Sequence, residues 1–327
     1  MRIRSLCWIR GKSKNREVTP ICWNRMAIIT NCTRFNFLNM SERIGLKIGG
    51  VPEHFNLPWR LAIEEGKFLD AGMHLHWCDM SGGTGQMIKG LQTGSLDVAV
   101  LLTEGITKAI LQGLDAKIIQ VYVTTPLHWG VHVPFHSDIK NVDQLEGQTF
   151  AISREGSGSH LMAYVKANQE GWDPEQLKFN VIGDVYGGLW ALEHDEAQAF
   201  LWEKYTTFPY TEQGKCRYID EVITPWPCFV IAVRNEVLEA HGEKLTEMCE
   251  IVNKRAQEMK KAEQTVEIIS WRYNLRSGQV ANWLVETDWN YQGIEYPLAF
   301  EKVVSYLLKL KLISPEESDS WRKKLFV

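Results

Sequence analysis

The 327-residue chain is 45% hydrophobic and 23% charged, an ordinary globular composition that allows two lobes, each with its own core. Its formal charge of −4 divides into +7 on residues 1–39, where Arg2, Arg4, Arg10, Lys12, Lys14, Arg16, Arg25 and Arg34 stand against Glu17, and −11 on the rest. An acidic body without a basic stripe excludes nucleic acid as the partner, and no stretch approaches the ~18 consecutive apolar residues of a membrane span.

Residues 1–40 read as a leader, disordered or a mis-assigned start, with Met40 as the natural first residue. Their longest apolar run breaks at Thr30, which leaves no signal-peptide core and predicts a cytoplasmic location, periplasmic only if the true start differs. From Ile44 the chain alternates short apolar runs with helical segments, the pattern of a mostly parallel sheet under helices. Strands are expected at Ile44–Gly49, Met73–Trp77, Leu96–Leu102 and Ile118–Val123. Helices are expected at Leu57–Phe68, around Gln86–Leu91 and at Glu104–Leu111. A second unit follows Pro134, with strands at Thr149–Ile152, Phe179–Ile182 and Ala197–Trp202, and helices at Ser157–Asn168 and Gly188–His194. The runs Trp129–Pro134 and Pro227–Arg234 read as two hinge strands between the units. This makes the first lobe discontinuous, residues 41–133 plus 227–327, around a second lobe of residues 134–226. After Arg234 the pattern is helical: Glu236–Ala240, a long segment Lys244–Arg272, Gln279–Val285 and Leu298–Leu312.

In such a fold the loops at the carboxyl ends of strands line the crevice. After the first strand, Pro52 lets backbone approach a solute, while Glu53, His54 and Phe55 offer an acceptor, a switchable donor and an apolar wall. After the second, Gly83 and Thr84 open a helix whose free amides suit an oxygen. Thr103 and Glu104 follow the third, as a helix cap and first-turn acid or, turned inward, as partners for a solute amine. Ser157, Gly158 and Ser159 supply hydroxyls and amides at the strongest candidate junction. Asp184, Trp202 and Trp226 complete the set, the tryptophans as faces for a flat solute. Cys78, Cys216, Cys228 and Cys249 are too widely spaced for a zinc site or a disulfide framework, so no metal or cofactor is expected.

The combination of Gly49-Gly-Val-Pro-Glu-His-Phe-Asn-Leu-Pro-Trp, Ala62-Ile-Glu-Glu-Gly-Lys-Phe-Leu-Asp-Ala-Gly, Leu91-Gln-Thr-Gly-Ser-Leu-Asp-Val-Ala-Val and Val142-Asp-Gln-Leu-Glu-Gly-Gln-Thr-Phe-Ala, in that order, resembles solute-binding components of bacterial ABC importers. The likeness is to the branch with sulfonate, nitrate and thiamine-pyrimidine binders. Ser153–His160 and Thr224-Pro-Trp-Pro-Cys-Phe are similar to a signal-less, fungal cytosolic binding-protein-like subgroup. The resemblance implies a two-lobed type II periplasmic-binding-protein fold, α/β, with two hinge strands and a ligand cleft between the lobes. It further implies a small polar ligand of amino-pyrimidine, sulfonate or zwitterion class, and an ABC permease or a cytosolic partner. The alternatives are a cytosolic solute sensor and a cytosolic enzyme on the same fold, thiamine-pyrimidine-synthase-like or menaquinone-pathway-like, with His54 or His160 as acid/base.

Overall fold

In a computed structural model that describes residues 43–289 and 297–327, the apolar runs form ten strands. They are β1 (Ile44–Gly50), β2 (Met73–Asp79), β3 (Val98–Leu102), β4 (Ala116–Val123), β5 (His128–Pro134), β6 (Thr149–Ile152), β7 (Lys178–Val181), β8 (Ala199–Glu203), β9 (Cys216–Ile223) and β10 (Phe229–Arg234). The leader of residues 1–40 lies outside the described residues. The chain up to Glu212 supplies helices α1 (Leu57–Glu64), α2 (Lys67–Asp70), α3 (Gly83–Thr93), α4 (Thr103–Leu111), α5 (Gly158–Glu170), α6 (Val185–Glu193) and α7 (Lys204–Glu212). The C-terminal part supplies α8 (Asn235–Lys261), α9 (Thr265–Tyr273), α10 (Ser277–Glu286), α11 (Pro297–Lys309), α12 (Pro315–Ser318) and α13 (Trp321–Leu325).

The strands assemble into two five-stranded mixed sheets of matching pattern, β2-β1-β3-β10-β4 and β7-β6-β8-β5-β9. In the first, β1 runs parallel to β2 and β3, while β10 enters antiparallel between β3 and β4. In the second, β6 runs parallel to β7 and β8, and β5 enters antiparallel between β8 and β9. Inner strands carry near-continuous apolar runs because both faces are covered; β3 and β10 are buried almost throughout.

The runs expected to be the crossings are these two inserted strands themselves. Trp129–Pro134 pairs inside the second sheet, and the chain crosses at residues 124–127 and 224–228. The two crossings are hydrogen-bonded to each other, from Thr224 N to the Leu127 carbonyl (3.1 Å), from Leu127 N to Thr224 Oγ1 (2.8 Å) and from Cys228 N to the Thr125 carbonyl (3.1 Å). An extended apolar run looks the same in sequence whether it bridges two sheets or fills one.

The long helix expected over Lys244–Arg272 is two. α8 begins earlier, absorbs the expected Glu236–Ala240 segment across a bend at His241, and stops where Ala262 turns extended. Leu245, Met248, Val252, Ala256 and Met259 form its buried stripe, the helical spacing a core-facing face requires. The sequence pattern does not announce α7 and β9. Pro209 interrupts the helical pattern of α7, and β9 is an edge strand whose residues are mostly half-buried, so neither period is strong.

Candidate functional site

The carboxyl ends of β1, β3, β6 and β8 converge on a cavity of about 70 Å³ between the two sheets. On a scale where one water needs ~10–15 Å³ of such space, this admits a small head group. The lobes meet around it. Arg154, after β6, donates from Nη1 to the Gly82 carbonyl at the start of α3 (2.6 Å). Tyr205 Oη donates to Glu286 Oε2 (2.5 Å), tying α7 to α10. Gly158 is packed so closely that a Cβ there would come within 2.8 Å of Leu102 Cδ1 and 2.6 Å of Trp129 Cη2.

Seven of the fourteen expected residues line this cavity: Glu53, Gly83, Thr84, Ser157, Gly158, Ser159 and Trp202. Ser157 caps α5, accepting from His160 N (3.4 Å), and its hydroxyl lies 3.1 Å from that of Ser159. Ser159 Oγ also accepts from Ser153 N (3.0 Å). The three serines thus form a buried hydroxyl network on the second-lobe wall. Opposite them, Thr84 Oγ1 accepts from Leu102 N (3.3 Å).

The other seven do not line the cavity. Pro52 is exposed and Asp184 is an exposed cap of α6, accepting from Tyr186 N and Gly187 N. His54 and Phe55 belong to a short 3-10 turn after Glu53 and point into the first-lobe core. There His54 lies 4.2 Å from the Trp283 ring centre and 4.9 Å from that of Phe55, and burial pushes its pKa down to about 3. Thr103 donates to the Pro227 carbonyl (2.5 Å), and Trp226 Nε1 donates to Glu104 Oε2 (2.9 Å). These three residues are hinge packing. Glu104 Oε1 has no partner, and burial raises that carboxyl's pKa to about 7 against the relief from Trp226. His160 accepts from Gly156 N (2.8 Å) on its Nδ1 and meets the Phe179 ring edge-on; it too lies off the cavity.

Beyond the apolar walls Leu102, Leu127 and Phe229, two lining residues that carry polar groups lie outside the sequence reading. Glu203 ends β8, and its carboxylate accepts from Tyr205 N (3.1 Å) and Thr206 N (2.6 Å) at the start of α7. Trp129 presents a buried indole N–H with no partner. The signal for Glu203 was an acid directly after a buried strand, the pattern that singled out Glu104. Glu53 keeps some contact with solvent, yet burial first and the Glu203 charge second push its carboxyl up to about 8. Burial raises Glu203 as well, against the two amides that hold it. The cavity thus brings together two carboxyls that resist ionisation, an unpartnered indole N–H and aromatic walls from Trp129, Trp202 and Phe229.

Among the described residues no group of His, Cys, Asp and Glu is arranged to hold a metal ion, His74 and His76 lie on an exposed face of β2, and no helix is long and apolar enough to cross a membrane. The four described cysteines are free.

Residues 129–222 match the family model described as Ca3427-like PBP. Among solved structures, the Candida albicans CA3427 gene product, described as having the generic periplasmic binding protein fold, is 23% identical. Its TM-score is 0.80, over 86% of this chain and 96% of that one. The alkanesulfonate-binding protein SsuA of Xanthomonas axonopodis pv. citri is 14% identical with a TM-score of 0.71, over 84% and 96% of the two chains. The nitrate-binding protein NrtA of Synechocystis PCC 6803 is 14% identical with a TM-score of 0.68, over 86% of each chain. No curated protein matches the chain.

Proposed function

We propose that this chain, which has the type II periplasmic-binding-protein fold, is a solute-binding protein that closes its two lobes on a small nitrogen-bearing molecule, an amine, amidine or amino-pyrimidine. The observation that carries the reading is the pair of cavity carboxyls, Glu53 and Glu203, one from each sheet and both raised in pKa. The structurally similar proteins named above include sulfonate and nitrate binders, but an anion is repelled by either carboxyl once it ionises, whereas a protonated nitrogen favours the ionised form and draws both pKa values back down. Closure around the two hydrogen-bonded crossings is a hinge motion. The outer surface that both lobes then form together is what an ABC permease or a cytosolic partner would read. His54 and His160, the acid/base candidates of the enzymatic reading, face away from the cavity.

The test is a thermal-shift screen of the full chain against alkylamines, amidines, amino-pyrimidines, alkanesulfonates and nitrate, since a ligand of the native state raises the midpoint by mass action. Nitrogen-bearing cations should raise it, Glu53→Gln should weaken them about tenfold, the loss of roughly 1.4 kcal/mol, and the hit should emerge chemically unchanged. A screen in which only alkanesulfonates or nitrate bind, indifferent to Glu53→Gln, sinks the proposal; conversion of the hit replaces it with an enzyme.

A further inference from the structure

Beside the carboxyl cavity lies a second one of about 200 Å³, lined by α3 from Thr84 to Ile88, by α4 along its length from Glu104 to its C-cap Gln112 and by the loop after β6. The two share Thr84, Leu102, Ser157 and Gly158, so they are neighbouring compartments of one cleft. Arg154 lines both, and Lys108, on α4, lines only the second. These cations come from opposite sheets. Among the ion pairs of the described residues neither takes part.

Lys108 reaches across the cleft, its Nζ so near the second-lobe loop that a Cβ on Gly156 would come within 2.9 Å of it. Arg154 lies against Gly85, where a Cβ would meet Nε at 2.4 Å. Glycine at these positions is what admits both cations. Two carboxyls also border the compartment. Glu155 is exposed, so water screens its charge, and Glu104, held on one oxygen by Trp226, is pushed toward its neutral form by burial. Half-buried Arg154 and Lys108 lose hydration without an ion pair in return, Arg154 keeping its hydrogen bond to the Gly82 carbonyl, and an anion between them supplies the missing pairing. The Ser157 hydroxyl at the start of α5 adds a neutral donor on the same wall.

We propose that this second compartment takes the anionic arm of the same solute whose nitrogen-bearing head meets Glu53 and Glu203, which makes the ligand a small zwitterion with its charges at opposite ends. The inference rests on the binding reading above and narrows its ligand class.

The experiment is calorimetric titration of the full chain with matched probes, straight-chain alkylamines and the corresponding ω-aminoalkanesulfonates of two to four carbons, on the wild type and on Lys108→Met. The variant's thermal midpoint checks that it folds. The best-fitting amino-sulfonate should bind at least tenfold tighter than its parent amine. Lys108→Met should erase that advantage and leave the amine's own affinity unchanged. Equal affinity for amine and amino-sulfonate, or equal weakening of both by Lys108→Met, overturns the anionic arm while the nitrogen-binding reading stands. If the wild type binds neither kind of probe, both fall. Amine binding that Glu53→Gln leaves intact removes the head assignment and with it the zwitterion.

Discussion

The junctions after β1 and after β6 occupy equivalent places in the two sheets but treat their polar residues in opposite ways. After β6, Ser153, Arg154, Ser157, Gly158 and Ser159 all line the cleft, because a free loop runs into a capped helix and its short side chains stay at the α5 start. After β1 only Val51 and Glu53 do. A 3-10 turn begins at once, and it rolls His54 and Phe55 under the sheet into the aromatic cluster with Trp283. A one-residue change in where a turn starts therefore decides whether a side chain meets solute or core.

Four outcomes break or sharpen that contrast. Phe55→Ala should cost about 3–5 kcal/mol in urea unfolding, the range for deleting a buried aromatic ring; a surface-like loss under 0.5 kcal/mol would return Phe55 to the cleft wall. The second outcome concerns pH. The native Glu53 carboxyl holds its proton up to about pH 8, while the unfolded chain releases it near its ordinary value. Stability of the empty protein should therefore fall as pH rises through that window, by at most about 1.4 kcal/mol per pH unit. Above about pH 6.5, where buried His54 and His132 are neutral in both states, Glu53→Gln should flatten this slope, leaving the contributions of Glu104 and Glu203; urea midpoints across pH decide it, and an unchanged slope would place the Glu53 carboxyl in water. Third, Trp226→Phe leaves both oxygens of buried Glu104 without a partner and should cost about 1–3 kcal/mol, read in the same unfolding assay. Last and smallest, Ser157→Ala should cost about 1 kcal/mol as a lost helix cap; a loss several-fold larger would mean the serine network, rather than the cap, holds that wall.

The sheets were legible because β1, β3, β6 and β10 are short apolar runs punctuated by glycine, proline or charge, and the helices because residues such as Leu245, Met248 and Val252 repeat at helical spacing. Glu203 and Trp129 were not legible as site residues. An acid after a strand is usually solvated, and a tryptophan in an apolar run is usually core; only the partner strands reveal that β5 and β8 lie side by side and aim both at one cavity. Trp226 and Glu104 show the converse. Each was singled out for its own chemistry, and they find each other, 122 residues apart in sequence, at the hinge.

The place of β10 has a consequence for how the chain is made. It fills the gap between β3 and β4, strands that leave the ribosome more than a hundred residues before it. Every strand of the second sheet is synthesised before β10 emerges, so that sheet can complete while the first still shows unpaired inner edges, the surface most prone to wrong pairing. A nascent chain stalled short of Phe229 would carry a finished second sheet tethered to an open, adhesive first one, and that interval of synthesis is where a holding chaperone has the most to protect.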